Sequence, residues 1–540
     1  MRSTKCVVSV PLMLLTCLLA GCGGGADMAS TTSPVAGGTA VIAFAEDPDV
    51  LNPLIYQSAA SGQILVLLHE GLVEMGEDFA YHPHIASGWR FSPDSLAITV
   101  TLRPWCWSDG TPVTADDVTT SFSLYMDPRV ASPRSGSRLA NIARVTAIDS
   151  VTVVYEFRER RADQVPALGH FLFPAHRTTD LDPSRVGEWP LNEAPLSTGP
   201  YVLTGWRHGQ DLVLERNEVY PGDPSRLDRL IFRIIPDKTA SIVELETGGV
   251  DFVENIPVHH ARRLAEDGEI VLQRVESRLV GQIYWNLESP LFADRRVRKA
   301  MSHAIDRSIF CDGLLGGFGS PAGSPLPPAV WAYDATLSPD AYDPELARRL
   351  LAEAGWRDED GDGLLERDGS PFRFTMSTRK GDPVRENGLQ VIRDNLRRVG
   401  IDVVTRVMEF TSLIAQVRNG DFESYLGVFS SRLAVDPSAL YASDAFDRFN
   451  YGHYASAKAD SLLGAALSLT DRGEAKAVWD AFQRHIAFDS PLCFLYYPET
   501  IIGHGRRLRD VRPHVLSPYQ NVTEWWIAPA DRKYTSAAAE

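Results

Sequence analysis

From Thr39 onward, the chain alternates between strand-length apolar runs and longer amphipathic stretches. Ile98, Val100 and Leu102 are separated by polar residues, as on a strand with one buried face. Residues 295–309 instead carry their apolar side chains at spacings of three and four, which is typical of a helix. Because both patterns recur in a chain of 540 residues, the sequence predicts an α/β protein with more than one hydrophobic core.

Capping residues mark the ends of several predicted helices. Thr114 followed by Asp117 has the spacing of a capping box, which predicts that a helix begins there. Asp343 precedes Pro344, and Gly355 follows the eleven residues of helical pattern. Proline suits the first turn of a helix and glycine its end, so the sequence predicts a helix over residues 344–354.

The N-terminus has the order of charge, apolar core and small residues found in bacterial export signals. Arg2 and Lys5 precede the mostly apolar residues 7–19, a run shorter than a membrane span. The run ends in Leu19-Ala20-Gly21-Cys22, which resembles the lipobox of bacterial lipoproteins. That resemblance implies removal of residues 1–21, lipidation of Cys22 and an extracytoplasmic protein held to the cell membrane by lipid alone. In a cell with two membranes the protein would lie on the periplasmic side, attached to either the inner or the outer membrane.

Composition narrows the classes of partner. The formal net charge of −17 argues against nucleic acid and anionic lipid surfaces as binding partners. Cys106, Cys311 and Cys493 are too widely spaced for a zinc motif, so we expect buried and inert thiols. Residues 23–38 consist largely of small residues and are expected to be a flexible linker.

Several short segments match, in the same order, those of one family of binding proteins. They are Trp107-Ser108-Asp109-Gly110-Thr111-Pro112, Thr114-Ala115-Asp116-Asp117-Val118, Thr198-Gly199-Pro200-Tyr201, Glu215-Arg216-Asn217, Tyr284-Trp285-Asn286, Asp294-Arg295-Arg296-Val297-Arg298 and Ala304-Ile305-Asp306-Arg307. On these motifs the chain resembles the extracytoplasmic solute-binding proteins of family 5, the peptide and nickel receptors of ABC importers. Most of these residues have structural explanations, and we expect the arginines of residues 294–307 to form a solvated helix face.

The resemblance implies a two-lobed, periplasmic-binding-protein-like α/β fold of type II. It belongs to the large subclass with an extra subdomain on the N-terminal lobe. The implied boundaries are residues 1–21 for the signal peptide, 22–38 for the lipidated Cys and linker, 39–75, 196–273 and 498–540 for lobe I with the C-terminal tail, 76–195 for the extra subdomain, and 274–497 for lobe II. The chain is expected to cross between lobes near residues 272–280 and 496–501, and hinge closure would enclose ligand in the interlobe cleft.

Polar groups among aromatic walls are expected to contact the ligand. The candidates taken from the resemblance are Tyr56, Gln57, Ser58, Tyr284, Trp285, Asn286, Phe429, Arg432, Asp436, Tyr441 and Tyr496. We expect about half of the aromatic candidates to touch ligand and the others to lie in the core.

The loop of residues 429–437 departs from the pattern of the peptide receptors. In those relatives, an Asp in this loop pairs with the α-amine of the peptide. Aligned on Asp436-Pro437, that position falls near Leu433, beside Arg432. A site carrying Arg432 suits a carboxylate or another acceptor-rich ligand, whereas a solvent-exposed Arg432 is the structural alternative.

Two patterns suggest metal sites. Asp358, Asp360 and Asp362 alternate before Gly363 like the start of a calcium loop, but the twelfth position is Gly369 instead of Glu, so a plain acidic turn is favoured. His82 and His84 lack partners at metal-ligand spacing and are interpreted as surface or capping residues.

Taken together, the resemblance implies a monomeric substrate-binding lipoprotein of an ABC importer. It would capture a peptide or similar small organic solute and deliver it to permease subunits, without enzyme activity or a cofactor. A nickel or metal-chelate receptor of the same fold remains an alternative, as does a chaperone or signalling receptor that has no permease. A secreted, lipid-anchored hydrolase is disfavoured because no catalytic motif is found.

Overall fold

The structure is a computed structural model that describes residues 33–135, 138–162 and 164–534. The signal peptide, the lipobox and Cys22 lie outside the described residues. Within these ranges, no helix has both the length and the apolar character needed to cross a bilayer. Cys106, Cys311 and Cys493 are buried and form no disulfide with one another.

The chain forms two compact units. The first unit contains the described residues up to Glu254, Asp267–Leu272 and the described residues from Ile502 onward. The second unit contains Asn255–Glu266 and Gln273–Ile501. The sequence-based boundaries place residues 255–266 in lobe I, whereas the structure groups them with the second unit.

The first unit contains most of the strands that the structure describes. Helices and strands are numbered in chain order through both units. Its strands are β1 Thr39–Phe44, β2 Val73–Met75, β3 Tyr81–Pro83, β4 Ala86–Phe91, β5 Ala97–Leu102, β6 Ile142–Ala147, β7 Thr152–Phe157, β8 Tyr201–Arg207, β9 Asp211–Arg216, β10 Arg229–Ile234, β11 Phe252–Val253, β21 Leu508–Arg509 and β22 Trp526–Ile527. Its α-helices are α1 Ala59–Leu68, α2 Ala115–Met126, α3 Gln164–Ala167, α4 Ala175–Thr178 and α5 Lys238–Glu246. Short 3₁₀ helices cover Arg138–Asn141, Pro183–Glu188, Pro190–Asn192, Val522–Glu524 and Pro529–Asp531.

The second unit is richer in helices. Its strands are β13 Leu279–Trp285, β14 Gly319–Pro321, β15 Glu366–Arg367, β16 Ser370–Pro371, β17 Arg373–Arg379, β18 Asp402–Met408 and β19 Ser424–Ser430. Its helices are α6 Val258–Leu264, α7 Arg295–Ala304, α8 Pro344–Glu353, α9 Pro383–Arg397, α10 Phe410–Arg418, α11 Ser438–Tyr441, α12 Ala457–Ser468 and α13 Arg472–Asp489, with a π-helix at Ile309–Leu314. Strands β12 Ile270–Glu276 and β20 Leu492–Gly505 each begin in one unit and end in the other.

Two sheets organise the first unit. In the larger sheet, β1 pairs in parallel with β10 and β11, while β9 pairs antiparallel with β8 and β10. The smaller sheet is antiparallel, in the order β4-β5-β7-β6. In β5, Ile98, Val100 and Leu102 are buried and alternate with exposed threonines, as the sequence predicts. The smaller sheet falls within residues 76–195, whose role as a separate subdomain stays a prediction.

The sheet of the second unit has a hydrophobic core on each face. Its order is β18-β17-β19-β13-β20, with β17 parallel to β18 and β19, and β13 antiparallel to β19 and β20. One core contains residues of α7, α8 and α9, and the other contains residues of α10, α12 and α13. This is the mixed α/β architecture that the sequence predicts.

The expectation that the arginines of residues 294–307 are solvated is wrong for two of them. Arg298 is 7% exposed and donates to the carbonyls of Asp489 and Ser490 at 2.7 and 2.9 Å, where α13 ends. Arg307 is 6% exposed and donates to the carbonyl of Phe494 at 2.8 Å. The last carbonyls of a helix lack intrahelical partners, and a guanidinium has enough donors to serve several buried oxygens.

Candidate ligand-binding site

Three of the predicted ligand contacts lie in the first unit, in the loop before α1. Ser58 caps α1, since its hydroxyl accepts from the amide of Ser61 at 3.0 Å, and it donates to Asp49 Oδ1 at 2.8 Å. Partial burial alone would raise the pKa of Asp49, but hydrogen bonds from Ser61, Gln57 and Ser58 lower it to about 2. The ionised carboxylate of Asp49 therefore holds the loop, and the hydroxyl of Ser58 is already used in hydrogen bonds that stabilise it.

Tyr56 and Gln57 differ in their exposure. The guanidinium carbon of Arg134 lies 3.3 Å from the ring centroid of Tyr56, and its Nη1 donates to the Tyr56 carbonyl at 2.7 Å. Gln57 is exposed, and its backbone amide donates to Asp49 Oδ2 at 2.8 Å. The side chain of Gln57 is the one in this loop that presents an exposed amide for a contact.

The other predicted contacts lie in the second unit, and neighbouring aromatics there face opposite sides of the sheet. Trp285 is fully buried with its ring centroid 5.0 Å from that of Phe292. Tyr496 is 2% exposed and stacks on Phe310 at 5.7 Å. Both belong to the core that contains α7, α8 and α9, so packing already accounts for their large apolar surfaces.

Tyr284 and Tyr441 are brought together on the other face. They line one small cavity together with Leu440, Phe449 and Asn450, among others. Tyr284 accepts from Gln282 Nε2 at 2.7 Å and stacks on Tyr425. The buried hydroxyl of Tyr441 has no hydrogen-bond partner among the described residues, and burial raises its pKa well above the usual value. A buried hydroxyl without a partner is costly, because it has lost its hydrogen bonds to water.

The amide of Asn286 is engaged in holding a turn after β13. Its Nδ2 donates to the carbonyl of Phe422 at 2.9 Å, and its Oδ1 accepts from the amide of Glu288 at 3.1 Å. Both ends of the side chain therefore have partners within the protein.

The loop that follows β19 holds the remaining candidates. Phe429 is half-buried, 6.0 Å from the ring of Phe449, and Arg432 is exposed with no bonded partner among the described residues. Asp436 is also exposed, and its Oδ1 accepts from the amide of Ser438 at 3.0 Å, where α11 begins. Of these three, Arg432 alone offers a charge that the described part of the fold does not use.

Sequence reasoning missed Arg278, which lies beside this loop. The amide of Ser431 donates to the Arg278 carbonyl at 2.8 Å, and Arg278 Nη1 lies 3.4 Å from the Ser431 carbonyl. The two residues are 153 positions apart in sequence, so only the pairing of β13 with β19 brings them together. The departure from the family pattern at Arg432 was the signal that pointed to this part of the chain.

The acidic turn at residues 358–363 is held by hydrogen bonds between its carboxylates and nearby backbone amides. Asp358, Asp360 and Asp362 each accept a hydrogen bond from an amide within the turn or just after it. Oxygens of Asp358, Asp360 and Glu366 lie within 4.8 Å of one another. Calcium binding stays a prediction, since the backbone amides account for the arrangement without an ion.

His84, predicted to be a surface or capping residue, lies between two carboxylates. Its Nε2 is 3.2 Å from Glu70 and its Nδ1 is 3.4 Å from Glu74. Burial would lower the pKa of His84, but its contacts with the two carboxylates raise it to about 10. A protonated ring with a carboxylate beside each nitrogen forms an ion triad, in which ligand atoms of Glu70, Glu74 and His84 lie within 4.8 Å of one another.

The comparisons with known proteins agree with this fold. The sequence profile of "Bacterial extracellular solute-binding proteins, family 5 Middle" matches residues 80–450. The chain belongs to this family, which consists of binding proteins of ABC importers and not of enzymes. Its members are extracytoplasmic.

Several relatives resemble the chain over most of its length. The oligopeptide-binding protein AppA of Bacillus subtilis is 28% identical over 550 residues, which cover 98% of this chain and 99% of AppA. The protein XP55 of Streptomyces lividans is 28% identical over 474 residues, covering 87% of this chain and 84% of XP55.

Solved structures show the same fold. The structure of Bacillus subtilis AppA in complex with a nonapeptide has a TM-score of 0.70 at 28% identity, covering 92% of this chain and all of AppA. NikA of Brucella suis in complex with Fe(III)-EDTA has a TM-score of 0.79 at 21% identity, covering 91% of this chain and 99% of NikA, which bears on the fold alone.

Proposed function

We propose that this protein captures a peptide-like or similar organic solute and delivers it to the permease of an ABC importer. The observation that carries the proposal is the likeness to an oligopeptide-binding protein over 98% of the chain. Arg432, which has no bonded partner among the described residues, and the half-exposed rings of Phe429 and Phe449 support it, because solute sites combine a few polar groups with aromatic surface.

We also infer that the mature protein is tethered to the membrane by lipid on Cys22. Support comes from the sequence alone, where an apolar run ends in Leu19-Ala20-Gly21-Cys22. Acyl chains contribute about 0.8 kcal/mol per buried methylene, so two or more hold a protein firmly at a bilayer. Such an anchor keeps a receptor near its permease and leaves its fold in water.

A solute screen on the Cys22→Ser variant tests both proposals. We expect the variant to appear in the soluble fraction and to be stabilised by a peptide or similar solute. A ligand at about 100 times its Kd adds roughly 2.7 kcal/mol to the free energy of unfolding, which thermal denaturation detects. Cys17→Ser is the matched control, since Cys17 lies in the signal peptide before the lipobox and its loss should leave the protein in the membrane.

The two proposals fail separately. If peptides, opines, sugars and nickel all leave the melting temperature unchanged, the capture proposal is contradicted. If the Cys22→Ser variant stays with the membrane as firmly as the Cys17→Ser variant, the anchor proposal is contradicted.

A further inference from the structure

Three arginines lie at one edge of the sheet of the second unit. Strands β17 and β19 are parallel and β13 is antiparallel to β19, so the start of β13 lies beside the end of β19, at Leu279 and Ser430. Strand β17 points toward the same end of the sheet and ends two residues beyond its last pair with β19, Ser377 and Tyr425. Arg379 ends β17, Arg432 lies two residues after β19, and Arg278 directly precedes β13. We call Arg278, Arg379 and Arg432 the arginine edge. Ligands of α/β sheets bind outside the carboxyl ends of their strands, which is where this edge lies.

These arginines lack the carboxylate partners that other arginines of the same unit have. Arg274 pairs with Glu499 at 2.5 Å, and Arg385 pairs with Asp382 at 2.6 Å. Among the described residues, no carboxylate pairs with any member of the arginine edge. The contact of Arg278 is the Ser431 carbonyl at 3.4 Å, and that of Arg379 is the ring of Phe410, with 5.7 Å between guanidinium carbon and centroid.

Two of the three guanidinium groups are partly withdrawn from water. Arg278 and Arg379 are half-buried, and the buried Nε of Arg379 has no hydrogen-bond partner among the described residues. Burial lowers the pKa of Arg278, because it disfavours the charged form. Holding unpaired cations in this way costs free energy, which an anion supplied from outside the protein would offset.

Two carboxylates near this edge, Glu409 and Asp436, already accept from groups other than these arginines. Glu409, which follows β18, pairs with Lys380 at 3.0 Å. Asp436 accepts from the backbone amide of Ser438 at 3.0 Å. Phe429 and the half-exposed Phe449 supply apolar surface beside the same loop. The edge therefore combines positive charge with aromatic surface.

We propose that the arginine edge binds an oxyanion group of the captured solute, a carboxylate or a phosphate ester. This inference rests on the proposed function and assigns the class of solute, which is an anionic one. Arginine suits this role because its planar donors match the two oxygens of a carboxylate or phosphate.

Matched pairs of probes test the inference on the full-length protein by isothermal titration calorimetry at fixed ionic strength. One arm compares short peptides that have a free C-terminal carboxylate with their C-terminal amides. The other arm compares amidated peptides containing phosphoserine with serine twins. We expect at least one anionic probe to bind more tightly than its neutral twin. Arg278→Gln and Arg432→Gln should each weaken that probe by about 10- to 100-fold and leave the neutral twin unchanged.

Arg397→Gln is the matched control. Arg397 is exposed at the end of α9, which leads back to the start of β18 and so to the opposite edge of the sheet. This variant should bind both twins like the wild type. Twins that bind equally well, with no effect of Arg278→Gln or Arg432→Gln, would overturn the anion inference and leave the proposed function standing. A protein that binds no probe and no solute of the wider screen would overturn both.

Discussion

Replacing Asp251 by Asn is expected to lower the free energy of unfolding by about 3–5 kcal/mol. The Asp251 carboxylate is 2% exposed and accepts from Arg507 Nε and Nη2 at 2.5 Å each. It also accepts from the amide of Val41 at 2.8 Å, so it ties β1 to the chain after β20. Neutralising the carboxylate would leave the mostly buried guanidinium of Arg507 without its counter-charge. Denaturant unfolding followed by circular dichroism measures the loss.

An exposed ion pair of the same unit provides the control for Asp251. Glu156 pairs with Arg144 at 2.9 Å, and their side chains are 41% and 67% exposed. Surface ion pairs contribute little to stability because solvent screens them, so Glu156→Gln should leave the unfolding free energy almost unchanged. Equal losses in the two variants would show that the Asp251–Arg507 pair does not hold the first unit together.

Gly281→Ala is expected to destabilise the second unit by about 3 kcal/mol. A Cβ at this position would lie 2.2 Å from Cζ of Tyr496 and 2.5 Å from two other ring carbons. Tyr496 is enclosed between β13 and Phe310, so its ring cannot move away without disturbing the core. Thermal denaturation of the variant measures the cost, and Gly281→Ala should cost less when it is introduced into a Tyr496→Ala background than into the wild type.

Gly464→Ala is the matched control for this substitution. Gly464 is exposed inside α12, and no atom outside its own helix turn lies within 4 Å of the added Cβ. Alanine is favoured over glycine within a helix by about 1 kcal/mol, so this variant should be slightly more stable than the wild type. If Gly281→Ala were as harmless as Gly464→Ala, Tyr496 would not be packed against β13 as the structure shows.

The sequence predicts local structure well because its signals lie within a few residues. The alternation at Ile98, Val100 and Leu102 predicts β5, and Asp343 with Pro344 predicts α8, whose first turn Asp343 indeed caps. The family and the α/β fold are also confirmed, because motifs spread along the chain carry both.

Side-chain surroundings could not be predicted in the same way, because they depend on contacts between distant segments. Tyr284 and Trp285 are neighbours in sequence, yet a strand sends them to opposite faces and into different cores. Arg298 has the pattern of an exposed helix face, but its donors meet carbonyls almost 200 residues away. Arg278 lies beside the candidate loop only because its strand pairs with the strand that leads to Ser431, which the sequence does not reveal.

Native mass spectrometry of the full-length protein, mixed with a library of short peptides and related organic solutes, measures whether the protein binds such a solute. We expect a complex of one solute with one protein chain, from which collisional activation releases a peptide-like or similar solute for identification. A folded protein that retains its native charge states and forms no complex with any member of the library would contradict the proposal that this chain is a solute receptor.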